Sequence, residues 1–504
     1  MRRRWIFLAA LGSWWLILLT KLARDKLFWH DEIYTVLLAR LPLGSLWRAS
    51  LDGVDLSPPL NIVLTRAVQL VAGAGPVASR LPSITGFIFT SLLLFAFVRK
   101  RSNALIGATA ALLPAFTEAW TYATEARGYA LTMACFAAAL YGWSEAAAGR
   151  RVRSNLVVMA VALAAGMWSH YYFVLAFVPI VVGEIVREVT RRRPDPGFWV
   201  ALGAAVVATL PLLPLASVAA GQRATFWARP AHMEFGKAYD FVFGSLAGRQ
   251  WQQIAGTILI VTVGVLACLP RTRGPAQAGH HVRINRRLAR HDAAACVVCL
   301  LVPAGGVVLG YWTGAFTERY VVFSIAGLMA ALPLLVWAAA PANGALDVVA
   351  LVACLATLVG ASRHALLNKT DPIDERSVIA ERTKAADPFI VTGAADYLRV
   401  WYYTPVEFQP RVMYLADPAA ELDATGTDTV DRGYLALARW TPVPVVPLEG
   451  FVQTQRRFWL YSPGADDTWI ERRLGSWGAT FIPGIPGTPA GGEQPGRLFL
   501  VQLP

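Results

Sequence analysis

The segment Phe28-Trp29-His30-Asp31-Glu32-Ile33-Tyr34 sets two adjacent carboxylates beside aromatic rings, just beyond an apolar run. A carboxylate placed there can act as a general base, taking the proton of a hydroxyl as it attacks an electrophilic carbon. Four more polar clusters follow along the chain. Asp52 and Asp55-Leu56-Ser57-Pro58-Pro59 lead into the stretch Leu60 to Ala72, and Glu118 precedes Thr124-Glu125-Ala126-Arg127-Gly128-Tyr129. Ser169-His170-Tyr171-Tyr172 and Phe316-Thr317-Glu318-Arg319-Tyr320 complete the set. Singly, each is what a helix cap or an interfacial anchor looks like, and a lone histidine is more often structural. Their common placement at the ends of apolar segments, on one predicted face, favours a functional site, because charge gathered there is costly. Arginine's planar fork matches phosphate oxygens, so Arg127 and Arg319, with His170 beside them, suit a phosphate whose lipid tail stays in the bilayer. Asp31 and Glu32 are then the candidates for catalysis.

The elements that must position these residues are membrane helices. Of 504 residues, 56% are hydrophobic and 16% charged, and the apolar residues come in blocks long enough to span a hydrocarbon core. The net charge of +13 resides in arginine clusters between those blocks, the pattern of cytoplasmic connections, which excludes nucleic acid as a partner. The five cysteines all fall in predicted spans, so no disulfide framework is implied; Cys296 and Cys299 read as packing residues. His280-His281 alone does not make a metal site, and no metal is assigned.

The path starts with an uncleaved helix from about Trp5 to Leu22, running from the cytoplasm outward. Leu60 to Ala72 is too short to cross and reads as a helix lying at the outer surface. Leu81 to Val98 returns to the cytoplasmic triplet Arg99-Lys100-Arg101. Further spans are expected at about 104–117, 129–146, 155–169, 171–186, 198–217, 253–269, 292–311, 320–340 and 346–361. The fold expected is mainly α, a bundle of about eleven spans over residues 1–363 with a first outer loop at 23–80. From 364 to 504 the composition turns polar, and short β-rich runs alternate with helix-like pieces, which predicts a small α/β accessory domain outside the cytoplasm.

The segments FWHDEIYTVLLARLPL, DLSPPLNIVL, SRLPSITGFIFTSLLLFAFVRK, TEARGYAL, WSHYYFVL and FTERYVVF resemble, in order, the motifs of one family. It comprises the protein O-mannosyltransferases, the lipid A aminoarabinose transferases and their bacterial relatives, within the C-type glycosyltransferase superfamily. The resemblance implies an inner-membrane enzyme with a polyprenyl-phosphate-linked sugar as donor, inversion at the anomeric carbon, and a lipid, glycan or protein as acceptor. It matches Asp31 to the family's catalytic acidic residue, with Glu32 its neighbour. It adds Tyr320 to the donor-phosphate set of Arg127, Arg319 and His170, and gives Asp55, Glu125 and Tyr129 to substrate binding. Ser57 stands where the family's Asp-x-His-Pro-Pro element has histidine. Metal dependence varies across the superfamily. The competing readings are a ligase or polymerase using a diphosphate-linked donor and, further off, a transporter; no repeat between the halves supports transport.

Overall fold

Helix α1 (Arg2–Asp25) carries the first apolar run and ends in the charged turn that opens the outer loop. The computed structural model describes residues 2–230, 234–242, 288–339, 344–369, 387–464, 468–484 and 496–504. The loop folds into α2 (His30–Leu38) and α3 (Leu43–Leu51), followed by α4 (Leu60–Ala72) and the long α5 (Pro76–Arg99). At 1.5 Å per residue α4 is about 20 Å long, shorter than a hydrocarbon core of about 30 Å. Its far end leaves Leu70 and Val71 uncovered.

Five described helices are long and apolar enough to cross a membrane: Trp5–Asp25, Pro76–Arg99, Pro196–Gly221, Arg290–Thr313 and Ala345–Leu367. Shorter apolar helices cover Ala104–Phe116, Val152–Met167 and Ser324–Ala339. Tyr129–Ala147 and Phe177–Arg191 complete the bundle, and the expected span at about 253–269 lies outside the described residues. The protein is therefore a multi-pass membrane protein. Several expected spans are broken by tight 3₁₀ turns, at Leu113–Phe116, Tyr171–Ala176 and Leu210–Leu212. Proline at 114 and 211 removes a backbone donor and supplies the physical reason for two of them.

Close packing brings the polar turns together. A Cβ on Gly86 of α5 would come within 2.8 Å of the Ala130 carbonyl group, so only glycine lets α5 approach helix Tyr129–Ala147 this closely. That approach allows Ser83 to donate to the carbonyl oxygen of Arg127 at 2.9 Å. At the other end of α5, Arg101 pairs with Asp292 at 3.0 Å and Lys100 with Glu145, tying the arginine-rich connections together.

The last membrane helix runs to Leu367, slightly beyond the expected boundary at 363. After it comes a six-stranded sheet of order β3-β2-β1-β4-β6-β5. Strands β1 (Phe389–Val391), β2 (Val412–Ala416), β3 (Val445–Pro447) and β4 (Arg457–Ser462) are parallel, whereas β6 (Arg497–Gln502) runs antiparallel to β4 and to β5 (Thr480–Pro483). Of the short β-rich runs in the sequence, Phe389 to Val391, Arg411 to Leu415, Phe458 to Tyr461 and Leu498 to Leu503 correspond to β1, β2, β4 and β6, while β3 and β5 are too short and mixed to stand out. The domain does not stand apart from the outer loop. Phe28, Ile33, Val36 and Leu37 share one apolar core with Phe389, Tyr397, Trp401 and Leu437. The word accessory therefore understates it: the domain and the loop that carries Asp31 are packed as one body.

Two acids are buried inside this domain. Asp431 accepts from the Tyr414 hydroxyl at 2.8 Å and the Asp417 amide at 2.6 Å, and Glu421 accepts from the Asp431 amide at 3.1 Å. Burial, reinforced by the mutual repulsion of the acids, pushes Glu421 up to about 8 and Asp431 up to about 6. The folded state thus holds protons that the unfolded chain releases near pH 4, so stability is full at low pH and is lost as pH rises toward 8. Amides of helix Thr429–Ala438 should exchange faster at pH 8 than at pH 6 in the full-length protein, after correction for the intrinsic rate. Equal corrected rates would show that these acids are already ionised at pH 6.

Candidate active site

The adjacent acids Asp31 and Glu32 lie on the first turn of α2, where a step of 100° between neighbours turns them to different faces. Glu32 points into the protein. Its carboxylate receives Arg80 through Nε at 2.7 Å and Nη2 at 2.7 Å, and also the Ala126 amide at 2.7 Å. The remaining donors of Arg80 reach the carbonyl oxygens of Ala23 and Lys26 at 2.6 Å each and of Leu27 at 2.9 Å. Both side chains of this pair are wholly buried, and the guanidinium lies 4.7 Å from the Phe28 ring centroid. One ion pair thus joins the end of α1, the outer loop, α5 and the Glu-Ala-Arg turn. The geometry gives Glu32 a structural task, in place of the catalytic one expected from its position beside Asp31.

Asp31 faces a cavity of about 510 Å³, lined also by Trp29, Tyr34, Asp55, Arg127, Tyr129 and Arg319. Its Oδ2 accepts from Arg319 Nη1 at 3.0 Å, and its Oδ1 lies 3.0 Å from His30 Nδ1. Burial alone would raise the Asp31 carboxyl. The His30 hydrogen bond and the charges of Arg127 and Arg319 outweigh it and hold the group well below the usual carboxylate range. Asp31 is therefore charged at neutral pH.

The two arginines differ in commitment. Arg127 donates from Nη1 to Asp55 Oδ2 at 2.8 Å and from Nη2 to the Ser57 hydroxyl at 3.2 Å. Asp55 is fixed in turn by the Ser57 amide at 3.0 Å. The serine that departs from the family pattern thus closes the loop that holds Arg127. Arg319 has fewer partners: its Nε, like the indole nitrogen of Trp29, is a buried donor with no acceptor among the described residues. The Arg319 guanidinium also stands over the rings of Trp29 at 5.7 Å and Trp227 at 5.3 Å. A planar cation with a spare donor is what an incoming anion needs.

His170 caps the 3₁₀ turn that follows it, its Nδ1 accepting from the Tyr172 amide at 3.2 Å. Burial and then Arg127 and Arg319 hold its pKa down to about 3, so it is a neutral imidazole rather than the cation expected at a phosphate. Tyr320 packs 4.9 Å from it, centroid to centroid, and Tyr129 at 5.8 Å. Glu125 does not line the cavity. It is buried, paired with Lys26 at 3.0 Å, and burial raises it above the usual range despite that lysine. Of the nine residues expected at the site, seven converge on it, and Glu32 and Glu125 serve the scaffold behind it.

A second cavity of about 420 Å³ adjoins the first, sharing Leu56, Ser57, Phe226 and Tyr320 with it. Its walls are largely apolar, with Ala216, Ala219, Ala220, Tyr171 and the exposed Trp312 among them. Among the described residues, no three side chains of histidine, cysteine, aspartate or glutamate gather as metal ligands would. Residues that sequence reasoning missed are His30, Trp29, Arg80, Trp227 and, from the C-terminal domain, Ala395, Thr429, Val430 and Gly433 along the cavity wall. His30 and Trp29 stood beside the acidic pair. The wall from the C-terminal domain carries no motif that could have revealed it.

Residues 57–215, which include the Pro-Pro element, the Glu-Ala-Arg turn and His170, match the family described as dolichyl-phosphate-mannose-protein mannosyltransferase. No curated protein matches the sequence at a significant level. Among solved structures the chain is similar to ArnT from Cupriavidus metallidurans in the apo state. The TM-score is 0.57 at 12% identity, over 98% of this chain and 97% of that one. The same protein bound to undecaprenyl phosphate gives a TM-score of 0.53, with the same identity and coverage. At this identity the likeness carries the fold. Residues 57–215 thus match the dolichyl-phosphate-mannose-protein mannosyltransferase family, and the chain is a membrane glycosyltransferase with the fold of ArnT.

Proposed function

We propose that the protein transfers a sugar from a polyprenyl-phosphate donor to an acceptor hydroxyl at the outer face of a bacterial inner membrane, with inversion. The observation that carries this reading is the pair of joined cavities, one polar and holding Asp31 and Arg319, the other apolar and reaching exposed Trp312. A ligand that fills both has a charged head and a hydrocarbon tail. The ArnT structure bound to undecaprenyl phosphate supports that assignment by analogy.

In this mechanism the donor phosphate meets Arg319, whose Nε has no acceptor among the described residues, while Trp29 offers an indole N–H. Arg127, held by Asp55 and Ser57, supports the phosphate by its charge. As Arg319 engages the phosphate its hold on Asp31 loosens, and the nearby phosphodiester anion raises the basicity of a carboxylate that is weak at rest. Asp31 then takes the acceptor proton while the acceptor oxygen attacks the anomeric carbon. The carbon–phosphate oxygen bond breaks on the opposite side, and the phosphate leaves with the electron pair, stabilised by Arg319. Attack opposite the leaving group inverts the centre. The acceptor approaches along the wall formed by Thr429, Val430 and Gly433.

The outward orientation rests on the arginine-rich ends of the bundle lying opposite the site. The test of donor binding compares two arginines. Arg319→Ala should weaken binding of undecaprenyl phosphate about 10-fold or more, the worth of a charge-assisted contact, and Arg319→Lys should weaken it less. Arg127→Ala should have the smaller effect on binding, because its fork is already committed. Unchanged affinity in Arg319→Ala, measured on purified folded protein, would remove it from the donor site.

A further inference from the structure

The His30 ring bridges the outer loop and the C-terminal domain. Its Nδ1 lies 3.0 Å from Asp31 Oδ1, and its Nε2 lies 3.0 Å from the hydroxyl of Tyr434. The Tyr434 hydroxyl has one proton, and it donates that proton to the carbonyl oxygen of Ala394, which can only accept. The phenolic oxygen must therefore accept from His30, so Nε2 carries a hydrogen. If Nδ1 were bare, its lone pair would face a carboxylate oxygen across 3.0 Å, a repulsive contact. One proton accordingly lies between Nδ1 and Oδ1.

We infer that Tyr434 and His30 are positioning residues for Asp31, so that the C-terminal domain completes the catalytic centre. This rests on the reading of Asp31 as the general base. Tyr434 fixes the ring's tautomer and plane, and His30 fixes the rotamer of Asp31 and keeps it ionised, leaving Oδ2 toward the cavity. Tyr434 is itself immobilised: it is fully buried, with ring centroids of Tyr414 at 4.7 Å, Tyr397 at 5.4 Å and Tyr34 at 6.0 Å. The arrangement gives the domain a task that packing alone would not require, since an apolar contact would join the two parts equally well. The titratable or charged groups around His30 and Asp31 include Tyr34, Tyr434, Arg127, Arg319, Tyr129, Tyr320 and, further back, Asp55 and Glu125.

The experiment is a set of variants, His30→Gln, Tyr434→Phe, Asp31→Asn and the double variant His30→Gln with Asp31→Asn, assayed for transfer by the full-length enzyme. His30→Gln should lower kcat about 10-fold or more with little change in donor KM, and Tyr434→Phe should lower it in the same sense but less. The double variant should be no slower than Asp31→Asn alone, because His30 acts only through that carboxylate. The acid limb of the rate profile should also move to higher pH in His30→Gln, since the carboxylate has lost a donor. A near-normal rate for Asp31→Asn would overturn the assignment of the base itself. A large loss in Asp31→Asn with normal His30→Gln and Tyr434→Phe would overturn this inference alone, as would losses that multiply in the double variant. Tyr434→Phe removes one oxygen and keeps the ring packing, so it decides the matter if His30→Gln fails to fold.

Discussion

Asp31→Asn should lower turnover by about 10²–10⁴-fold while leaving undecaprenyl phosphate binding close to that of the wild type. Asparagine keeps the size of the side chain and can still hold part of the hydrogen-bond pattern, but its amide does not take up the acceptor proton. The carboxylate at this position is charged at rest, because His30, Arg127 and Arg319 outweigh the effect of burial. An Asp31 variant therefore fails for want of a base, and lowering the pH within the range where the protein is folded should not reproduce the loss. Transfer rate and donor affinity measured on the same purified sample separate the two quantities. Equal losses in both would assign Asp31 to donor binding instead.

The second large effect is on folding. Glu32→Gln, or Arg80→Ala, should prevent accumulation of folded protein, although neither residue faces the cavity. Removing one partner of a wholly buried ion pair leaves an uncompensated charge, at a cost of about 3–5 kcal/mol. Most proteins have only about 5–15 kcal/mol of stability in total. Arg80→Ala also leaves three carbonyl oxygens, those of Ala23, Lys26 and Leu27, without their donor. Monodisperse yield on size exclusion and the unfolding temperature of the detergent-solubilised protein measure this. A Glu32→Gln variant with wild-type yield, wild-type unfolding temperature and greatly reduced transfer would return Glu32 to the chemistry.

Much of this site was legible in the order of the polar clusters along the sequence. Asp31, Asp55, Arg127, His170 and Arg319 stand at the ends of apolar segments, and helices that must begin and end at a membrane surface bring such residues to one level. The division of labour was not legible. Neighbours in sequence look like a pair, but on a helix Asp31 and Glu32 turn apart, and Arg80, which decides the role of Glu32, comes 48 positions later. Helix count was obscured for a similar reason, since 3₁₀ turns interrupt segments whose hydropathy is continuous. The contribution of the C-terminal domain was the least accessible. Tyr434 is 404 positions from His30, and nothing in its neighbourhood of the sequence marks it as different from any other core tyrosine.

The chemistry also depends on a balance that composition conceals. The cavity is lined by two arginines and three acids, Asp31, Asp55 and Glu318, so its positive charge is cancelled before any ligand enters. Arg319, with a donor that has no acceptor among the described residues, can take up a single phosphate, whereas a diphosphate would demand more positive charge than the polar cavity offers. This favours a monophosphate donor over the diphosphate used by glycan ligases.

The most direct test offers the purified enzyme a radiolabelled sugar on undecaprenyl monophosphate and, separately, on undecaprenyl diphosphate, with a panel of sugars and a membrane extract as acceptor source. The account predicts that label leaves the monophosphate carrier with wild type, that it leaves about 100-fold or more slowly with Asp31→Asn, and that the diphosphate carrier keeps its label. Release of label from the diphosphate carrier, or equal release from the monophosphate carrier by Asp31→Asn, would contradict it.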